Sequence, residues 1–310
     1  EQISDGIATV VPADSDGLVA YYRMDEQSGD LLKDETANAL DATVAGEART
    51  LANIGQALRF DGVDDVVRIA DDAALDPGAG SMTVEVWVNL DDFASQSGTQ
   101  VIVGKSEVGT TPAQGDWSIS LTENGAQDFL TLTAGNVDGQ LTSFGGGQQF
   151  EVTGMTGWHH VTMVIDRANS EIYGLFDGSQ SGWIDGDGQG GDRDTTNSCS
   201  TVPDISSAVD LTVGSLADTA NTVDDTKAFG GRIGEVRIWD RVRTNNEVVL
   251  NINTALVGSE AGLQALYRLE EGSGQIVSDL TGNGNDGTPG NDGSVAADDP
   301  TRENALTALR

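Results

Sequence analysis

The ten residues SMTVEVWVNL, 81–90, alternate without a break. Met82, Val84, Val86, Val88 and Leu90 fall on one parity, and Thr83, Glu85, Trp87 and Asn89 on the other. A period of two places one set on each face of an extended strand, and it is incompatible with a helix. The same period recurs along the chain. DWSISL sets Trp117, Ile119 and Leu121 against Ser118 and Ser120. GWHHVTMVID groups His159, Val161, Met163 and Ile165, and GRIGEVRIWDR sets Val236 and Ile238 against Glu235 and Arg237. Turns rich in Gly, Asp and Asn separate these runs, and Gly is abundant at 40 residues. Many strands joined by such turns predict an all-β sandwich. One helix signal stands apart: TNNEVVLNI offers Thr244 as N-cap and Glu247 three residues later, a capping box near the C-terminal end.

A second feature is a repeated phrase. GLVAYYRMDEQSGDLLKDETANALDAT, residues 17–43, and GLQALYRLEEGSGQIVSDLTGNGNDGT, residues 262–288, align without a gap at an offset of 245, with 13 of 27 positions identical. Tyr22/Tyr267, Arg23/Arg268, Gly29/Gly274, Asp34/Asp279 and Asp41/Asp286 are among them. Only 22 residues follow the second copy, too few for another sandwich. The favoured division is a leader over 1–16, a sandwich over 17–258, and a C-terminal appendage over 259–310 that packs on the same domain. The alternative is that the second copy opens a truncated second domain. Ile7–Val11 in the leader is β-prone and could be a donated strand, or the leader could be a linker. The chain begins at Glu1, which fits removal of a signal peptide or excision from a longer protein.

Charge excludes several partners. Fifty Asp and Glu against 16 Lys and Arg give a formal net charge of −34. Nucleic acid and anionic membranes would be repelled. No run of about 18 apolar residues is present to insert into a membrane. Only Lys33, Lys105 and Lys227 are lysines, a balance suited to high salt, where screening shortens repulsion, or to calcium-rich extracellular surroundings. Cys199 has no partner for an internal disulfide.

The order of ALRFDGVDDVVRI (57–69), SMTVEVWVNL (81–90), GWHHVTMVID (157–166), IYGLFDG (172–178) and GRIGEVRIWDRVRTNNEV (231–248) resembles laminin-G-like, concanavalin A-like jelly-roll domains. The opening phrase is similar to that family's usual start. The resemblance covers about residues 17–290 and implies an antiparallel jelly-roll β-sandwich. It leaves function open, because this fold carries lectins, adhesive modules and glycan-cleaving enzymes.

Glycan cleavage needs two carboxylates about 5–10 Å apart. The E-x-D-x-x-E strand of the retaining glucanase branch is absent. Glu85 is the nearest candidate, but Trp87 occupies the position where a partner acid would stand, and Glu85 is expected to be a solvent-facing strand residue. The adjacent His159 and His160 point to opposite faces, so they form no catalytic pair; His159 shares the core parity.

Four Asp-rich turns suit a hard cation, which takes six to eight oxygens. They are DETANALD with Asp34, FDGVDD with Asp61, Asp64 and Asp65, WIDGDGQGGDRD with Asp185, Asp187 and Asp192, and DLTGNGND with Asp279. Each composition also makes turns for purely local reasons. The resemblance implies calcium at the sandwich rim. Trp183, in a long polar loop, is either an exposed platform for a sugar or an anchor for that loop.

The expected function is a non-catalytic, secreted or cell-surface recognition or adhesion module that binds calcium and a glycan or surface polymer in a saline environment. The alternatives are a subunit of an extracellular filament or surface layer that self-associates by strand pairing, and a glycan-active enzyme.

Overall fold

The computed structural model describes residues 57–76, 78–90, 98–106, 117–124, 126–134, 148–169, 171–183, 205–216, 223–271, 273–290 and 294–303, and short pieces at 31–32, 38 and 42–43. Two antiparallel sheets face each other. The first contains β3 (Ala57–Asp61), β5 (Met82–Asn89), β10 (Trp158–Asp166), β11 (Glu171–Phe176), β13 (Gly230–Trp239), β14 (Leu263–Tyr267) and β16 (Thr301–Glu303). Its order is β11-β10-β5-β13-β3-β16, with β14 also paired to β13. The second contains β4 (Val67–Ile69), β6 (Thr99–Lys105), β7 (Trp117–Asn124), β8 (Gln127–Ala134), β9 (Gln148–Glu151), β12 (Leu211–Val213) and β15 (Gly287–Pro289). Its order is β15-β4-β12-β6-β7-β8-β9. A separate ladder joins β1 (Leu31–Leu32) to β2 (Ala42–Thr43). This is an all-β sandwich with one α-helix among the described residues.

The alternating runs place their apolar parity between the sheets. Val84, Val86, Val88, Val161, Met163, Ile165, Val236 and Ile238 from the first sheet meet Trp117, Ile119, Leu121, Leu130, Leu132 and Val213 from the second. Burial of this set drives the collapse, at about 25 cal/mol per Å² of apolar surface. His159 lies at the edge of this core, stacked on Phe176 at 4.7 Å, with Nδ1 2.8 Å from the Asp177 carboxylate.

The opposite parity of the first sheet is not open to solvent, which departs from expectation. After β13 the chain folds back over that face. The Thr83 hydroxyl donates to the Arg241 carbonyl, and the Trp87 indole donates to the Ile252 carbonyl. The helix α1 (Asn245–Asn251) starts at the expected capping box, with the Thr244 hydroxyl accepting from the Glu247 N–H and the Glu247 carboxylate accepting from the Thr244 N–H. Val248 of α1 packs with Val164, Tyr173 and Leu175.

The C-terminal residues are built into the sandwich. β14 pairs with β13, β16 with β3, and β15 with β4 of the other sheet. Among the described residues no helix is long and apolar enough to cross a membrane.

Candidate functional site

The turn between β3 and β4 gathers three acids. Gly62, at φ 79°, takes a left-handed conformation that lets the chain reverse between Asp61 and Asp64. The Asp61 carboxylate accepts from the Val63 N–H at 2.8 Å, and Asp65 Oδ2 accepts from the Asp61 N–H at 2.6 Å. These bonds orient Asp61 and Asp65, and ligand atoms of Asp61, Asp64 and Asp65 lie within 4.8 Å of one another. Asp65 is only 3% exposed. Burial pushes its carboxyl up to about 7; the Asp61 N–H opposes this, and the negative charges of Asp61, Asp64 and Asp299 reinforce it. A buried acid surrounded by acids, with an all-oxygen donor set, fits a hard divalent cation such as calcium. The three residues that would hold it are Asp61, Asp64 and Asp65. Asp65 was read as part of this turn in the sequence, but its burial was not legible there.

Asp279 has a different job. Its carboxylate accepts from the N–H groups of Leu266 (3.2 Å), Thr281 (3.0 Å) and Asn285 (3.3 Å), and from the Thr281 hydroxyl (2.8 Å). The Asp279 N–H donates to Asp286, and the Tyr267 hydroxyl donates to the Asn285 carbonyl at 2.7 Å. Asp279 therefore folds the repeated phrase, with its oxygens taken by donors of β14 and of the turn. Asp34, Asp185, Asp187 and Asp192 lie outside the described residues.

Trp183 is an anchor. It is 1% exposed, its ring centroid lies 5.4 Å from that of Phe150, and it belongs to the main core. A Cβ on Gly174 would fall 2.5 Å from its Cε2, so the indole fills the space that this glycine leaves on β11.

Glu85 overturns the reading of a solvent-facing side chain. It is fully buried. Arg243 Nη1 donates to it at 2.5 Å and Arg237 Nη1 at 3.2 Å, while His160 Nε2 stands 3.3 Å away. Arg237 also donates to Glu235 at 2.5 Å and to the carbonyls of Asn251 and Thr254. Arg243 donates to the Glu247 carbonyl and lies 4.1 Å over the Trp239 ring. Burial alone would raise the Glu85 carboxyl; the His160 imidazole and the guanidinium groups of Arg237 and Arg243 outweigh it and bring the group down to about 2. Two acids and two arginines thus compensate one another beneath α1 and residues 251–254. A carboxyl held ionised this firmly, and shut away from solvent, has no proton to give a leaving group.

A model of the concanavalin A-like lectin/glucanases superfamily matches residues 61–249, more than half of the chain. The chain belongs to that superfamily. Among solved structures, a candidate carbohydrate-binding protein from Bacteroides ovatus is similar with a TM-score of 0.51 at 18% identity, over 85% of this chain and 66% of its own. A SAP-like pentraxin from Limulus polyphemus aligns with a TM-score of 0.41 at 16% identity, over 66% of this chain and 82% of its own. Tailspike protein 2 from an Escherichia coli O157:H7 bacteriophage aligns with a TM-score of 0.47 at 13% identity, over 74% of this chain and 29% of its own. This chain thus spans just under two thirds of the length of the first and less than a third of the last. At these identities the likeness is one of fold. No curated protein matches the chain.

Proposed function

We propose that the protein is a non-catalytic recognition module, extracellular or at the cell surface, that binds a glycan or surface polymer and carries calcium in the turn between β3 and β4. Membership of a lectin and glucanase superfamily supports the ligand class. The observation that carries the non-catalytic reading is the closure of Glu85 by Arg237, Arg243 and His160: the nearest candidate acid in the sequence is consumed by structure. The acid triad supports calcium. Bound there, the cation would neutralise Asp65 and fix the turn between β3 and β4, and calcium itself would supply only charge and coordination. The net charge of −34 supports a saline setting, in which screening limits self-repulsion.

A glycan array probed in high salt tests the reading, once with calcium and once with EDTA. Retention on a defined set of glycans that weakens in EDTA is the expected result. A flat array in both conditions would overturn the glycan assignment, and equal binding in EDTA would remove calcium from it.

A further inference from the structure

Arg237, Arg243 and Lys105 are the buried lysine and arginine side chains among the described residues. The two arginines neutralise Glu85. Lys105, at the end of β6, is the odd one. Only three of the 16 cations in the chain are lysines, and this one is fully enclosed. An arginine forks onto carboxylates and stays charged. Lysine differs in one chemical respect: its nitrogen can shed a proton and become a nucleophile.

Lys105 shares the parity of the core residue Val103 and stands opposite Trp117 of β7. Its stem therefore lies at the end of the apolar space. Nζ donates to Asp71 Oδ1 at 2.6 Å, to Asp76 Oδ1 at 2.5 Å and to the Ser207 carbonyl at 2.6 Å. The two acids belong to the segment between β4 and β5, on either side of the short 3-10 helix Ala73–Leu75. Their settings differ. The Asp76 side chain is 15% exposed and that of Asp71 38%. Asp76 Oδ1 also accepts from the Ser207 N–H at 3.3 Å, and the Asp76 N–H is tied to the Ala73 carbonyl. Asp76 is thus the fixed and enclosed acid, and Asp71 the one in touch with water.

We propose that Lys105 and Asp76 join in an intramolecular isopeptide bond, with Asp71 as the proton carrier. Asp71 takes a proton from the Lys105 ammonium and hands it to Asp76 Oδ2. The freed amine attacks Asp76 Cγ, and the C–N bond forms. Negative charge gathers on Oδ1, where the Ser207 N–H already points. Asp71 then takes a second proton from the nitrogen and delivers it to Oδ2. The Cγ–Oδ2 bond breaks, one water leaves, and Asp71 is a carboxylate again. An ammonium and a carboxylate have become an amide and water, so no oxidant or other reactant is needed.

Two effects favour this condensation here over the same pair in water. The reacting groups are already in contact, which replaces a bimolecular encounter. The ammonium is held away from solvent, which is costly for a charge and not for an amide whose partners are in place. In the product the N–H keeps the Ser207 carbonyl and the amide oxygen keeps the Ser207 N–H. The bond would tie β6 of the second sheet to the segment that leads into β5 of the first.

The full chain, purified folded in high salt, is weighed intact and then digested for mapping. The expected mass is one water below that of the sequence, with a branched peptide in which the Lys105 side chain carries Asp76. Lys105→Arg keeps the charge and is expected to restore the water. Asp76→Asn is expected to give the same branched product, with ammonia leaving in place of water. Asp71→Asn cannot carry the proton and is expected to slow the appearance of the branch in newly made chain by at least about tenfold. A folded, unaltered chain without the 76–105 branch overturns the bond. A lost water that persists in Lys105→Arg lies elsewhere and overturns it too. A branch at Asp71, or an Asp71→Asn chain that closes at the unaltered rate, overturns the roles given to the two acids. The branched peptide is read on the unaltered chain, so the test holds even where Lys105→Arg does not fold.

Discussion

Glu85 and His160 face each other at 3.3 Å from neighbouring strands of the first sheet, and neither side chain is exposed to solvent. His160 sits edge-on to Trp87 at 5.2 Å, and Arg237 and Arg243 close the remaining sides of Glu85. The outer face of a jelly-roll sheet is thereby turned into a second interior. Its polar content is a balanced set of charges, and its cover is the helix that follows β13.

Replacing one member should be costly. Glu85→Gln leaves Arg237 and Arg243 short of one negative charge in a buried site, and loss of one partner from such a cluster costs about 3–5 kcal/mol. Denaturant melts at pH 7 should show that loss. The pH dependence is distinct. The Glu85 carboxyl lies at about 2 when folded, below its ordinary 4.5. Its stabilising contribution is therefore complete above about pH 4.5 and is lost as the pH falls through about 2. The Glu85→Gln chain should lack that segment of the acid limb. An unchanged acid limb would mean that Glu85 is not held by this cluster.

Asp65 predicts the opposite slope. Its folded value of about 7 exceeds the ordinary 3.8. The folded state then binds more protons than the unfolded state between those values, so without divalent cations stability should fall as the pH rises from about 4 to about 7. The loss is on the order of a few kcal/mol. Calcium should abolish the slope and add about 2.7 kcal/mol at one hundred times its dissociation constant. Asp65→Asn should stabilise the calcium-free chain at pH 8 and remove the response to calcium. Identical melting points in saturating calcium and in EDTA, at matched ionic strength, would refute the site.

The core parity was legible because each strand declares it alone: Val84, Val86 and Val88 need no knowledge of their neighbours to be placed inward. The capping box at Thr244 and Glu247 was legible for the same local reason. Glu85 was not. Its burial depends on residues 241–256 folding back across a sheet face some 160 positions away in sequence, and alternation says only that Glu85 opposes Val84. Trp183 was ambiguous for a related reason, since its socket is the missing side chain of Gly174 on β11, onto which the chain folds back. The acid turn at 61–65 was visible as composition, but the burial of Asp65 and the charge that Asp299 brings near it depend on the tertiary fold, in which β3 and β4 belong to different sheets.

That socket yields a stability prediction. Trp183→Ala removes a buried indole from the main core and should cost about 3–5 kcal/mol. Gly174→Ala should also destabilise the chain, because its new methyl meets the indole ring. If Trp183 instead contacted ligand, glycan retention would fall in Trp183→Phe while stability held. The expected result is the reverse, with lower stability and unchanged retention.

The last prediction is that the chain cleaves no glycan. Hydrolysis requires one carboxyl that can donate a proton and a second that attacks or activates water. Glu85 is ionised and sealed, Glu235 is bound to Arg237 on the same covered face, and Asp65, though raised to about 7, is buried in its turn with Oδ2 held by the Asp61 N–H. His159 has Nδ1 at Asp177 and Nε2 at the Thr156 carbonyl. A panel of β-glucans, galactans and uronans should therefore release no new reducing ends over long incubation in high salt, with or without calcium. Reproducible turnover that disappears on mutation of a single carboxylate would place an acid and base elsewhere in the chain and make the protein an enzyme. Turnover that survives every such mutation would point to a contaminant, and the non-catalytic reading would stand.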